Sequence, residues 1–200
     1  QEALREMGNG VKGELPIAVG VIPFGMIFGV IAVGAGIPPL LAQAMSFIVF
    51  AGSAQFIGAQ LIGAATPGAI ILLTTFIVNA RHLLYSASIA PYLRPLSPLW
   101  RTVLAYLLTD EAYAVTILDF RNNTARRVAR HWFLLGAGLT LWSAWQMSTA
   151  VGVFLGAQVP STWGLDFTLA LTFIGLVVPA LRNHADIAAA LTAGIVALLT

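Results

Sequence analysis

Long apolar stretches recur along the chain, and only short breaks containing Pro, Gly or charged residues separate them. A helix needs about 20 apolar residues to cross a bilayer. Stretches such as "GAIILLTTFIV" also lack the residue-by-residue alternation that marks a membrane β-strand. The pattern therefore predicts an all-α, polytopic bundle that forms a single transmembrane domain over residues 1–200. About seven spans are predicted, at residues 15–36, 40–63, 67–90, 100–119, 132–156, 163–181 and 186–200.

Composition agrees with a membrane protein, since 58% of the 200 residues are hydrophobic and only 9% are charged. Soluble domains carry about 25% charged residues. The chain has no cysteine, which excludes disulfides and thiolate metal sites. We expect no cofactor and no metal, and the net charge of +2 gives no reason to expect a nucleic-acid partner.

The distribution of basic residues predicts the orientation of the bundle. Arg and Lys are enriched in cytoplasmic loops. Four predicted spans separate Arg5 and Lys12 from the arginine-rich stretch 121–130, so both groups fall on the same side. We therefore expect a cytoplasmic N-terminus. Because the chain starts at Gln1 and stops inside an apolar run, we also expect both ends to be incomplete.

A short internal similarity links the first and fifth predicted spans. The segment "GVIAVGAGIP" (29–38) is similar to "GVFLGAQVP" (152–160), and both would run in the same direction across the membrane. This is compatible with a three-plus-one-plus-three parallel repeat of the kind found in transporters. Chance explains it equally well, because Gly and Pro are common in membrane helices.

Two spans carry polar or helix-breaking residues in their apolar interior. In the first, Pro23, Phe24 and Gly25 predict a break that frees backbone groups at mid-membrane, where transporters hold substrate. A simple kink with small-residue packing is the alternative. In the second, "AGSAQF" combines Ser53 with Gln55, whose amide must be paired inside a membrane. With Gln43, Ser46 and Gln60 it could line a cavity, or these side chains could join helices.

The third and fourth spans carry the charges. Arg81, Tyr85, Ser88 and Tyr92 form one helical stripe, and Thr75, Asn79, His82 and Ser86 form a second beside it. A central Arg needs an anion or several carbonyl groups as its partner unless it extends to the interface. We predict that Arg81 is buried in the bundle and pairs with Asp110 or Glu111. These adjacent carboxylates diverge by about 100° on a helix, so the other one could carry a coupling proton. A purely structural ion pair is the alternative.

Four segments resemble the AzlC family, the large subunits of bacterial branched-chain amino acid exporters. They are "PFGMIFG" (23–29), "AGSAQF" (51–56), "NARHLLYSASIAPYLR" (79–94) and "LTDEAYA" (108–114). The resemblance implies an inner-membrane protein, not an enzyme, that exports valine, leucine, isoleucine or similar amino acids. It also implies a small, separately encoded membrane partner of the AzlD type.

A zwitterionic amino acid needs an anion binder, a cation binder and an apolar pocket. We expect Arg81 to bind its carboxylate. Asp110 or Glu111, with free carbonyls near Pro23, should bind its ammonium, and Phe24, Phe28 and Phe56 should surround its side chain. The predicted substrate-binding residues are Pro23, Phe24, Gly25, Ser53, Gln55, Asn79, Arg81, His82 and Tyr85, and the predicted ion-coupling residues are Asp110 and Glu111. A channel or scaffold subunit is one alternative. An intramembrane hydrolase using His82 and Ser86 is another, although "AGSAQ" lacks the spacing of a nucleophile elbow.

Overall fold

The computed structural model describes residues 1–122 and 129–157, together with Ala188 and Thr192. Residues 1–159 form one compact unit. Residues 160–200 form a second unit that contains the predicted spans 163–181 and 186–200, and apart from Ala188 and Thr192 these two spans lie outside the described residues. Within the described ranges the chain forms eight helices and no strand: α1 (Glu2–Gly34), α2 (Pro39–Val49), α3 (Gly52–Gly63), α4 (Gly68–Asn79), α5 (Arg81–Leu93), α6 (Pro98–Tyr106), α7 (Asp110–Asn122) and α8 (Arg130–Gly156).

All five predicted spans in the described part of the chain are helical. Spans one and five correspond to α1 and α8, whereas each of the three between them consists of two helices in succession. Two helical stretches in this part are long and apolar enough to cross a membrane, Glu2–Gly34 and Gly68–Leu93. The helices of spans two and four are individually too short, because each of those spans is interrupted in the middle.

The scaffold of the unit is a close parallel pair formed by α1 and α8. A Cβ atom on Gly29 would lie 2.4 Å from the backbone nitrogen of Val153, and one on Gly152 would lie 2.0 Å from the carbonyl oxygen of Met26. Only glycine allows the two backbones to approach so closely. The predicted common direction of spans one and five is therefore confirmed, while the internal repeat stays a prediction.

The predicted break near Pro23 is wrong, because α1 continues as a helix across both Pro16 and Pro23. Gly25 packs on α8, where a Cβ atom would lie 2.0 Å from the Ser148 hydroxyl oxygen. Pro23 itself lies on an exposed face of the helix. Proline removes one backbone hydrogen bond, and the extensive contact with α8 stabilises α1 despite that loss. The alternative of small-residue packing is the correct interpretation of this segment.

The interruptions lie instead in spans two, three and four. They fall at Phe50–Ala51, at Ala80 and at Leu107–Thr109. Phe50 adopts a left-handed backbone conformation with φ of 40°, which costs an L-residue about 1–2 kcal/mol. At Ala80 the helix only tightens, since the amides of Ala80 and Leu83 donate to carbonyls three residues earlier. None of the three interruptions contains a proline.

Candidate binding site at three interrupted spans

The interruption in span two is stabilised by a buried glutamine. The side-chain oxygen of Gln55 accepts hydrogen bonds from the Ala51 amide at 3.2 Å and from the Trp145 indole at 3.1 Å. Gln55 is fully buried. The Ala51 amide loses its backbone partner at the interruption, and the Gln55 carboxamide replaces that partner. Lipid offers no hydrogen-bond acceptor that could do so.

The carbonyl groups before this interruption are also paired with side chains from other helices. The hydroxyl of Tyr106 donates to the carbonyl oxygen of Phe47 and accepts from the Trp142 indole at 2.9 Å. Leu107 lies in the interruption of span four and packs directly on α8. A Cβ atom added to Gly138 of α8 would lie 2.7 Å from the Cβ atom of Leu107. Helix α8 thus supports both interruptions.

The polar residues of α2 join helices. The Gln43 amide donates to the side-chain oxygen of Gln146 at 3.0 Å, and the hydroxyls of Ser46 and Thr149 are 3.1 Å apart. Both pairs connect α2 with α8. Of the two roles considered for Gln43 and Ser46, interhelical hydrogen bonding is the one observed.

The charged centre of the site is an ion pair between Arg81 and Asp110. Their Nη1 and Oδ2 atoms are 2.5 Å apart, and the other terminal nitrogen of Arg81 donates to the hydroxyl of Ser53. The predicted pairing is therefore confirmed, and Asp110 is the partner. The two side chains are 35% and 33% exposed, so the pair is not fully buried as predicted, and a ligand can reach both charges.

Each member of this cluster stands at the beginning of a helix. Ser53 lies in the first turn of α3, Arg81 is the first residue of α5 and Asp110 is the first residue of α7. The first amides of a helix have no intrahelical partner, and the helix dipole favours negative charge there. The N-terminus of α3 therefore adds donors for an anion beside the guanidinium, and the N-terminus of α7 stabilises the Asp110 carboxylate.

The cluster and residues near it in sequence contain both unused donors and unused acceptors. Buried atoms without a hydrogen-bond partner include Nε of Arg81 and Nε2 of Gln55 on the donor side, and Oδ1 of Asp110 and Oδ1 of Asn79 on the acceptor side. Buried polar atoms are normally paired. Unpartnered donors and acceptors around a solvent-accessible ion pair are typical of a binding site for a ligand that carries a positive and a negative charge.

Aromatic side chains flank the ion pair. The rings of Tyr85 and Tyr113 stack with centroids 4.6 Å apart, and the Tyr113 hydroxyl donates to Ser88 at 3.0 Å. Sequence reasoning missed Tyr113, although its position one turn after Asp110 was a usable signal. It also missed Trp145, which lies far from the cluster in sequence.

His82 belongs to the edge of the site. Its Nδ1 atom is 3.1 Å from the carbonyl oxygen of Asn79, and its ring contacts Tyr85 at a centroid distance of 5.7 Å. Ser86, the nucleophile of the hydrolase alternative, is exposed. In the part of the chain that the structure describes, no hydrogen bond connects His82 with Ser86.

The phenylalanines predicted to surround a substrate lie mainly in the core. Phe28 and Phe56 are 0% and 2% exposed, their ring centroids are 5.9 Å apart, and Phe28 stacks on Trp145 at 6.3 Å. Phe28 and Phe56 therefore belong to the core where α1, α3 and α8 pack together, and the expectation that these two residues line a pocket is wrong. Phe24 is half-buried against the same core.

Comparison with known proteins places the chain in a family. A family model described as "AzlC protein" matches residues 16–159, a range that includes every residue of the cluster. The chain belongs to the AzlC family. It is 33% identical over 151 residues to "Inner membrane protein YgaZ" of Escherichia coli (strain K12), an alignment that covers 74% of this chain and 60% of the relative.

Two further relatives extend the comparison. "Branched-chain amino acid transport protein AzlC" of Bacillus subtilis (strain 168) is 31% identical, over 80% of this chain and 62% of the relative. An uncharacterized membrane protein of Archaeoglobus fulgidus is 33% identical, over 95% of this chain and 82% of the relative. The chain thus spans about three fifths of two of these three relatives. No solved structure matches. Two of these three relatives are membrane proteins by name, in agreement with the apolar helices described above.

Proposed function

We propose that this chain is the substrate-binding part of an inner-membrane exporter of branched-chain amino acids, meaning valine, leucine, isoleucine or close analogues. The observation that carries the proposal is the Arg81–Asp110 pair with its unused donors and acceptors. The name of the Bacillus subtilis relative supports the substrate class, and the resemblance described above supports a small AzlD-type partner. The distribution of basic residues supports a cytoplasmic N-terminus.

In this proposal the substrate carboxylate binds between Arg81 and the N-terminus of α3. The guanidinium has an unpartnered Nε, and the first turn of α3 contributes amides without intrahelical partners. Broken helices of transporters hold anionic groups in the same way, with the positive end of a half-helix directed at the substrate. Ser53, which already accepts from Arg81, fixes the distance between the two anion-binding elements.

The ammonium group of the substrate binds the acceptors on the opposite side. Oδ1 of Asp110 and Oδ1 of Asn79 are the two unused oxygens there. The apolar side chain of the substrate packs on the Tyr85–Tyr113 stack and on Phe24. With Asp110 already bound to Arg81, Glu111 is the residue that we assign to proton coupling.

The test is leucine binding to the purified protein by calorimetry, with competition by two leucine analogues. One analogue, 4-methylpentanoate, lacks the ammonium group, and the other, isopentylamine, lacks the carboxylate. Hydrogen bonds to charged groups contribute about 1.5–3 kcal/mol, so Arg81→Gln should weaken leucine binding about ten- to a hundredfold. It should leave isopentylamine nearly unaffected. Asp110→Asn should weaken isopentylamine more than 4-methylpentanoate.

Arg94→Gln is the matched control, because Arg94 is exposed at the end of the same helix. It should bind leucine like the wild type. Arg81→Lys keeps the charge but loses the planar fork, so in proteoliposomes it should depress exchange and gradient-driven efflux together. Unchanged leucine affinity in Arg81→Gln would exclude this site.

A further inference from the structure

Glu14 is the most deeply buried charged side chain in the described part of the chain. Its exposed fraction is 0%, and both of its carboxylate oxygens lack a hydrogen-bond partner. An ionised carboxylate without donors or a cation is very costly in a low-dielectric environment. The neutral acid avoids most of that cost. The surroundings of Glu14 therefore favour the form that carries a proton.

The side of α1 that carries Glu14 faces α7 and α8. Gly10, Glu14 and Ala18 follow one another at four-residue intervals and are all buried. A Cβ atom on Gly13 would lie 3.0 Å from Cγ1 of Val115, which connects this level of α1 with α7. Glu111 precedes Val115 by one helical turn on the same face of α7, so it lies on the side of α7 that meets α1 at this level.

No cation faces this carboxylate among the described residues. The stretch of α8 that packs at this level, residues 133–141, contains no titratable side chain. Lys12 lies on an exposed face of α1, Arg81 is bound to Asp110, and Arg130 lies over the rings of Tyr92 and Phe120. Of the charged groups named above, Glu111 is the one that lies on the side of α7 toward Glu14.

A second unpartnered group lies on α7 beside this contact. Thr116 follows Val115 in sequence, is 0% exposed, and its hydroxyl has no hydrogen-bond partner. It is independent of the carboxylates and adds a polar group that a proton-carrying ligand or a water molecule could use. Glu14 on α1 and Thr116 on α7 are thus two buried polar side chains without a hydrogen-bond partner.

We propose that Glu14 and Glu111 form a proton-binding site, in which the two carboxylates hold one proton at neutral pH. Binding takes one proton from water to a carboxylate oxygen, and release returns it to water, with no other bond changed. The site lies next to the substrate cluster, because Glu111 follows Asp110 directly. Its role in coupling rests on the proposed transport function, but the binding of the proton does not.

The position of Glu14 along α1 places the site at the charged end of that helix. With 33 residues, α1 is about 50 Å long, which exceeds the hydrocarbon core of about 30 Å. Glu14 is the last charged residue before the apolar stretch that begins at Leu15. The carboxylates of Glu14, Glu111 and Asp110 therefore connect the charged end of α1 with the substrate cluster.

The direct test is infrared spectroscopy of the purified wild-type protein, in which the carbonyl stretch of a protonated carboxyl group is followed over a pH series. We expect an acid band at neutral pH that Glu14→Gln removes. Glu2→Gln, the same substitution at an exposed position of the same helix, should leave the band intact. Glu111→Gln should make the band disappear at a lower pH than in the wild type, because the repulsion between the carboxylates is gone.

The outcomes separate this site from the transport proposal. An unchanged band in Glu14→Gln, or no acid band in the wild type at neutral pH, overturns the inference even if leucine binds. Loss of the wild-type band when Na⁺ replaces K⁺ at constant pH would identify a sodium site and overturn it too. If the band behaves as expected but leucine does not bind, the proton site stands and the substrate proposal fails.

In proteoliposomes, Glu14→Gln should abolish the stimulation of leucine efflux by a proton gradient and leave leucine exchange at equal concentrations nearly unchanged. The glutamine has the shape of the neutral acid, so we expect the variant to fold. Retained stimulation in this variant, with Glu2→Gln behaving as wild type, would contradict a coupling role.

Discussion

Gln55 offers the sharpest test of how the interrupted span two is stabilised. Replacing it by leucine keeps a similar volume and removes the oxygen that accepts from the Ala51 amide and from the Trp145 indole. The carbonyl of Phe47, four residues earlier, would be the helical acceptor for the Ala51 amide, but it already accepts from the Tyr106 hydroxyl. The Ala51 amide therefore has no ready alternative acceptor. Gln55→Leu therefore leaves two buried donors without a partner.

The expected loss follows from these two bonds. A buried donor left unpaired costs about 1–3 kcal/mol, whereas side-chain hydrogen bonds in membrane proteins average about 0.6 kcal/mol when other partners are available. Because no other partner is near the Ala51 amide, we expect the free energy of unfolding to fall by about 2 kcal/mol or more. Gln60→Leu, a half-buried glutamine on the same helix, should change it by less than about 0.5 kcal/mol.

The measurement is unfolding in mixed detergent micelles, followed by circular dichroism. A double-mutant cycle with Trp145→Phe isolates one of the two bonds, because phenylalanine keeps an aromatic ring and lacks the indole donor. The coupling energy between Gln55→Leu and Trp145→Phe should reach about 1 kcal/mol. Additivity within about 0.5 kcal/mol, together with equal effects of Gln55→Leu and Gln60→Leu, would refute the role assigned to Gln55.

Two further predictions concern the contacts of α8. Gly152→Ala should destabilise the protein by about 1–3 kcal/mol in the same assay, because the new Cβ atom would lie 2.0 Å from the Met26 carbonyl oxygen. The control Gly20→Ala should not destabilise it, because no atom lies within 4 Å of that Cβ position. Equal effects of the two substitutions would contradict the close pairing of α1 and α8. Thr149→Val should lower the free energy of unfolding by about 0.6–1.7 kcal/mol, because it removes the interhelical hydrogen bond to Ser46. Thr140→Val should lower it by less, because the Thr140 hydroxyl bonds only within α8. A larger effect of Thr140→Val would contradict the role assigned to the bond between α2 and α8.

The spans and the ion pair could be predicted from sequence because local constraints determine them. A bilayer requires a continuous apolar stretch of fixed length, so the ends of α2–α3, α4–α5 and α8 lie within a few residues of the prediction. A guanidinium inside a membrane needs a counter-charge. The described part of the fourth span contains few candidates, which made the partner of Arg81 predictable to within two residues.

The choice between those two residues required the tertiary structure. Asp110 and Glu111 are adjacent, but they point about 100° apart on a helix. The packing of α7 against α1 and α5 directs Asp110 to Arg81 and Glu111 to the face that carries Glu14. The sequence contains no signal for this choice, because Glu14 is almost a hundred residues away from Glu111 along the chain.

The positions of the interruptions were also decided by tertiary structure. Local propensity favoured a break at Pro23, but contact with the glycines of α8 keeps α1 helical there. The chain is interrupted instead at Phe50, which is neither Gly nor Pro. Side chains from distant helices, Tyr106 and Trp145, pair with the backbone and with Gln55 at that point. In a medium without water, a helix can end only where other parts of the protein satisfy its backbone groups, and that depends on residues far away in the sequence.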